Sequence, residues 1–168
     1  MTTLALPKEK TNDFTVALFG AVILFLASQI QIPMRPVPFT MQTLAIYLMA
    51  LKMTPRQAVI STIFYLGAAT LGAPVLAGFN INPLWFLGTN AGYLAAFPLA
   101  AYIVAKCKNL SVGMRVTIAA FTLKAIGMTY LSTFIGWKAA FIYGFALFIP
   151  SYIIKVMIAV AVSRKVDA

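Results

Sequence analysis

FTVALFGAVILFLASQIQI, residues 14–32, carries no charge from end to end. A hydrocarbon core about 30 Å thick needs roughly 20 apolar residues in helix. The stretch therefore predicts a membrane-crossing helix, closed by Pro33, Pro36 and Pro38. Five more apolar runs follow. Phe39 to Leu51 is short, a tilted or partial span, and Lys52 to Arg56 closes it. Gln57 to Leu76, Leu84 to Ala105, Met114 to Ile135 and Ala139 to Val162 complete the series. Pro150 interrupts the last one; lacking an N–H, it predicts a re-entrant piece before it and a helix after it. The expected fold is all-α: a polytopic membrane protein of six transmembrane helices, with residues 1–13 a tail and 14–168 one domain.

Composition agrees. The chain of 168 residues is 62% hydrophobic and 10% charged, where soluble domains carry about 45–50% apolar and about 25% charged residues. Lipid must cover most of its outside. The net charge of +10 would suggest nucleic acid in a soluble protein, but here the basic residues sit between apolar runs. With the N-terminus inside, Lys8, Lys10, Lys52, Arg56, Lys106, Lys108, Arg115, Arg164 and Lys165 are cytoplasmic, against Arg35 and Lys138 outside. That asymmetry predicts cytoplasmic termini in the cell membrane and outer loops at 33–38, 77–83 and 136–138. A mixed-charge start and a first run too long for a signal-peptide core predict that the N-terminal segment is retained. A single cysteine, Cys107, rules out an internal disulfide or a multi-cysteine metal site.

The acids decide what the chain can do. Glu9, Asp13 and Asp167 all lie near the ends, and there is no histidine. A proton relay through the membrane uses Asp, Glu or His, and acid–base or metal-assisted chemistry needs the same side chains. No phosphate-cradling G-x-x-x-x-G-K-[ST] motif is present. The chain is expected not to be an enzyme and to hold no cofactor or metal, and any uphill transport must draw energy from another subunit.

Lys124 and Lys155 stand inside apolar runs with no internal acid to pair with. Each has two readings: an ammonium facing a cavity that awaits an anion, or a long stem reaching an interface. The anion site is favoured for Lys155, and the two stay balanced for Lys124. The outer loops add what a small-molecule pocket uses, polar groups among aromatics. Arg35 lies among three prolines, Asn80 and Asn82 stand beside Trp85, and Thr89, Asn90 and Tyr93 follow. Ala17 and Ala21 form a small-xxx-small pair that permits close helix approach.

Four segments carry a family resemblance: IPMRPVPFTMQTLA (32–45), LGAPVLAGFNIN (71–82), LGTNAGYLAAF (87–97) and IPSYIIK (149–155). In order and spacing they resemble the BioY family, the biotin-specific substrate-binding subunits (S components) of energy-coupling factor transporters. The resemblance spans roughly residues 14 to 160. It implies an S-component-like bundle that binds biotin near the outer surface and is energised by a transmembrane coupling subunit and two ATPase subunits. It maps ligand contact onto Thr40, Gln42, Asn80, Asn90, Tyr93 and Lys155, and coupling-subunit docking onto Ala17 and Ala21. The chain departs from the pattern where Tyr152 stands for an acid and Asn90 for a threonine. On this basis Lys155, with Arg35 second, is expected to meet the carboxylate of biotin, and Asn80, Asn90 and Tyr152 its ureido ring, with Trp85 beside them. Two other readings are another small carboxylated metabolite and a non-transporting scaffold whose lysines hold anionic lipid.

Overall fold

The computed structural model describes residues 12–166. The tail expected over residues 1–13 therefore lies outside the described residues up to residue 11, as does Asp167. Helix α1 (Asp13–Gln29) begins where Asn12 Oδ1 accepts from Phe14 N at 3.2 Å. It ends three residues short of the expected Ile32. The prolines at 33, 36 and 38 cannot continue the helix; the chain bends at 35–37, and β1 (Gln31–Ile32) pairs antiparallel with β2 (Phe39–Thr40). That small hairpin also takes the first two residues expected in the second helix. What remains, α2 (Gln42–Lys52), spans only about 16 Å at 1.5 Å per residue. That is about half the thickness of a hydrocarbon core.

Helix α3 (Pro55–Thr70) starts with a capping box: Gln57 N donates to Thr54 Oγ1 at 3.2 Å and Thr54 N to Gln57 Oε1 at 3.0 Å. Gln57 Nε2 also donates to Asp13 Oδ1 at 2.7 Å, tying α3 to the start of α1. Removing such a cap costs about 1 kcal/mol. Thr54→Ala is expected to lower the thermal unfolding midpoint in detergent by about 2–4 °C and to leave ligand binding unchanged. The helix stops at Thr70 rather than Leu76, because Gly72 takes a positive φ of 84° and Pro74 follows.

The fourth apolar run is split. After a 3-10 turn at Trp85–Leu87 come α4 (Ala91–Ala95) and α5 (Phe97–Lys106), with the break at Ala96. Pro98, which cannot donate to the turn before it, accounts for the break. Helix α6 (Val112–Ile135) is the longest among the described residues, capped by Ser111 Oγ, which accepts from Met114 N. The expected outer loop 136–138 shrinks to Gly136 alone, whose φ of 77° reverses the chain, and α7 (Trp137–Gly144) starts at once. A 3-10 turn at Ala146–Phe148 leads into α8 (Ile149–Val166), with Pro150 in its first turn, where a missing N–H costs nothing.

The pieces form six rods: α1, α2, α3, α4–α5, α6 and α7–α8. Helix α1 packs on α3, α3 on α5 and α5 on α6, while α2 and α8 lie against this row and each other. Gly20 allows the first contact, since a Cβ there would run into the side chain of Ser61. Large apolar side chains such as Phe14, Phe19, Leu26, Phe121 and Met157 remain exposed. A soluble protein does not leave so broad an apolar surface to water. Two stretches, Val112–Ile135 and Trp137–Lys165, are each long and apolar enough to cross a bilayer.

A cationic cavity under a hairpin

At one end of the bundle the β1–β2 hairpin, the 71–90 segment and the α7–α8 break close over a cavity of about 320 Å³. That volume is at the lower limit of small-molecule pockets, about 300–1,000 Å³. Its lid is fastened from several sides. Thr89 Oγ1 donates to Pro36 O at 3.1 Å, joining the hairpin to the segment before α4. Trp85 Nε1 donates to Thr70 Oγ1 at 2.9 Å, and Tyr130 OH to Phe86 O at 2.9 Å. Gln29 Oε1 accepts from Phe79 N at 2.9 Å, holding the 77–79 turn to the end of α1.

The strongest fastener is Lys155. Its side chain is 7% exposed and its Nζ donates to Thr40 O and Thr43 Oγ1, both at 2.7 Å. The ammonium also sits 4.3 Å from the centroid of Phe39, whose ring stacks on Phe148 at 6.2 Å. One helix turn past Pro150, α8 is thereby bonded to the β2–α2 junction. Lys155 faces the interior, not lipid.

Lys124 is placed differently. Its ammonium nitrogen is shut off from the surface and has no hydrogen-bond partner among the described residues. It looks onto the rings of Phe145, Phe148 and Tyr152, at 5.8, 5.5 and 5.6 Å from their centroids. An unpaired lysine at a helix centre costs about 2.5–3.5 kcal/mol, and cation–π contact returns about 0.5–2 kcal/mol of it. The stem does not run out to an interface, so of the two readings only the cavity-facing one survives.

Eight of the nine residues expected to touch ligand line this cavity: Thr40, Gln42, Asn80, Trp85, Asn90, Tyr93, Tyr152 and Lys155. Arg35 does not. The register Gln31↔Thr40 and Ile32↔Phe39 leaves it exposed in the hairpin's connecting loop, outside the cavity wall. Several wall residues have their polar atoms committed to the protein. Gln42 Nε2 donates to Tyr65 OH at 2.7 Å, and Tyr65 OH donates to Val75 O at 3.0 Å. Tyr93 OH donates to Gly144 O at 2.9 Å. Asn90 Oδ1 is buried with no donor to accept from among the described residues, and native proteins seldom leave a buried acceptor so.

Sequence reasoning left Thr43, Tyr47 and Tyr65 out of the wall. Thr43 and Tyr47 were findable, since they stand four residues apart on one face of α2. Tyr65 gave no local signal; it reaches the cavity only because α3 packs beside α1 and α5. The expected docking pair also separates. Ala17 is fully buried inside the bundle with Gly20 and Leu24, and Ala21 is half-buried. A partner lying on α1 cannot touch the side chain of Ala17 while that packing holds.

A helical membrane bundle with a lidded cavity, two ammonium groups in its wall and no acid between Phe14 and Val166 is built to receive a small ligand. The BioY family model matches residues 1–168, and the chain belongs to the BioY family. It is 32% identical over 152 residues to a Pyrococcus horikoshii protein named "Probable biotin transporter BioY", covering 90% of this chain and 93% of that one. A Rhizobium etli protein named "Biotin transporter BioY" is 30% identical over 175 residues, covering 93% of each. Among solved structures, the S component for biotin from an ECF-type ABC transporter superposes with a TM-score of 0.82. At 23% identity, over 96% of this chain and 94% of that one, the likeness establishes a shared fold.

Proposed function

We propose that the chain captures biotin and delivers it across the cell membrane as the substrate-binding subunit of an ECF-type transporter. The observation that carries this is the set of unsatisfied groups on the cavity wall. Asn90 Oδ1 needs a hydrogen-bond donor, and the Lys124 ammonium, which has no hydrogen-bond partner among the described residues, needs an anion. Biotin offers ureido N–H groups and a carboxylate. Asn90, with Asn80 and Tyr152 on the same wall, receives the ureido ring, and the lysine side of the wall receives the carboxylate. The rings of Trp85 and Tyr93 supply apolar surface to the bicycle, while Thr40 and Gln42 hold the lid's end in place.

The chain is not an enzyme, and its interior has no means of coupling to a proton gradient. Energy comes from partners, a transmembrane coupling subunit and two ATPase subunits. The six rods are six spans of one domain covering residues 14–168, with both termini cytoplasmic and the lidded cavity at the outer face. The half-buried Ala21 side of α1 is the surface offered to the coupling subunit.

Equilibrium binding of radiolabelled biotin to the purified protein in detergent is expected to saturate at one ligand per chain. Absence of saturable binding at micromolar biotin would remove the vitamin from this account. Displacement by short dicarboxylates, but not by unlabelled biotin, would transfer the site to a different carboxylated metabolite.

A further inference from the structure

We propose that Lys124, rather than Lys155, is the residue that recognises the ligand's carboxylate. The inference rests on the biotin reading above and assigns roles within it. Both lysines line the cavity, but their donors are in different states. A lysine ammonium has three donors. Lys155 spends two of them on Thr40 O and Thr43 Oγ1, which makes it the bolt of the lid. Lys124 spends none on any described residue.

The surroundings of Lys124 favour an anion over any partner the chain could supply. The rings of Phe145, Phe148 and Tyr152 offer it their faces, which attract a cation but accept no conventional hydrogen bond. Among the described residues no carboxylate is within reach, because their one acid, Asp13, accepts from Gln57 at the start of α3. Phe39 and Phe148 stack between the two lysines, with Lys155 over the first ring and Lys124 over the second. An anion on the Lys124 side of that stack finds three free donors and low dielectric, where a charge-assisted hydrogen bond is strongest.

The test pairs ligands with variants: biotin and its uncharged methyl ester, each bound to the native protein, Lys124→Met and Lys155→Met. Native protein is expected to favour biotin over the ester by roughly 10- to 100-fold, the worth of one hydrogen bond to a charged group. Lys124→Met should lose that preference while still binding the ester about as well as native protein does. Lys155→Met should weaken both ligands together and keep the preference. Met matches the lysine stem and removes an unpaired buried charge, so the fold is expected to survive; Lys124→Gln serves as the second variant should it not. If Lys124→Met and Lys124→Gln keep the native preference for biotin, or if Lys155→Met abolishes it, the assignment is wrong. Failure of native protein to bind biotin at all would instead overturn the biotin reading itself.

Discussion

Replacing Gly127 by valine is expected to abolish ligand capture and to destabilise the bundle by about 1–3 kcal/mol, the usual cost of overpacking a close-packed interior. A Cβ at Gly127 would clash with the ring of Tyr93. The ring cannot step aside. Its hydroxyl donates to Gly144 O, and the absence of a Cβ at Gly144 is what makes room for that hydroxyl. Tyr93 is thus boxed between α6 and the end of α7, and any displacement pushes it into the cavity it lines or drives α4 from α6. Thermal unfolding and biotin binding of Gly127→Val read the two effects. The paired variant Gly127→Val with Tyr93→Leu relieves the clash and is expected to recover most of the stability. Native affinity in Gly127→Val alone would show that Tyr93 is not part of the wall that ligand needs.

The second large effect is at Lys155. Lys155→Met removes two hydrogen bonds from a charged donor, each worth about 1.5–3 kcal/mol, and with them the only polar tie from α8 to Thr40 and Thr43 among the described residues. Biotin affinity is expected to fall by about 100-fold or more, mostly through faster release, because the lid end of the hairpin is no longer pinned. Lys155→Arg keeps the charge but cannot place donors on Thr40 O and Thr43 Oγ1 in the same geometry, so an intermediate loss is expected. Dissociation rates measured with radiolabelled biotin separate unpinning of the lid from a change in association.

How much of this was legible in the sequence follows from which forces are local. The apolar runs were legible because the bilayer imposes a length and a composition on every span. The ends of the helices were less so. Gln31 and Ile32 continue the uncharged run of the helix before them, yet pairing with Phe39 and Thr40 across the proline loop draws them into a hairpin. Pro98 lies within a continuous apolar run, yet its missing N–H divides α4 from α5. Gly136 reads in sequence as one residue of a loop, yet its single positive φ is enough to turn the chain.

The site was more legible than the boundaries. Polar groups stranded in apolar sequence, such as Asn90 and Lys155, have few places to go except a cavity, and the cavity is where they lie. The sequence could not show which of their hydrogen bonds the protein already satisfies. Arg35 looked like a binding residue by charge and rigidity, but the hairpin register leaves it outside the wall. Tyr65 looked like ordinary core, and it links Gln42 to Val75 beneath the lid. Ala17 fitted a docking pattern by spacing alone and is instead sealed inside the bundle.

An experimental structure of the purified protein with biotin tests the central claim most directly. The account predicts biotin density under the β1–β2 hairpin, a ureido N–H within hydrogen-bond distance of Asn90 Oδ1, and the carboxylate on a lysine ammonium of the wall. Biotin bound outside that cavity, or lying in it with its carboxylate turned away from both Lys124 and Lys155, would contradict it.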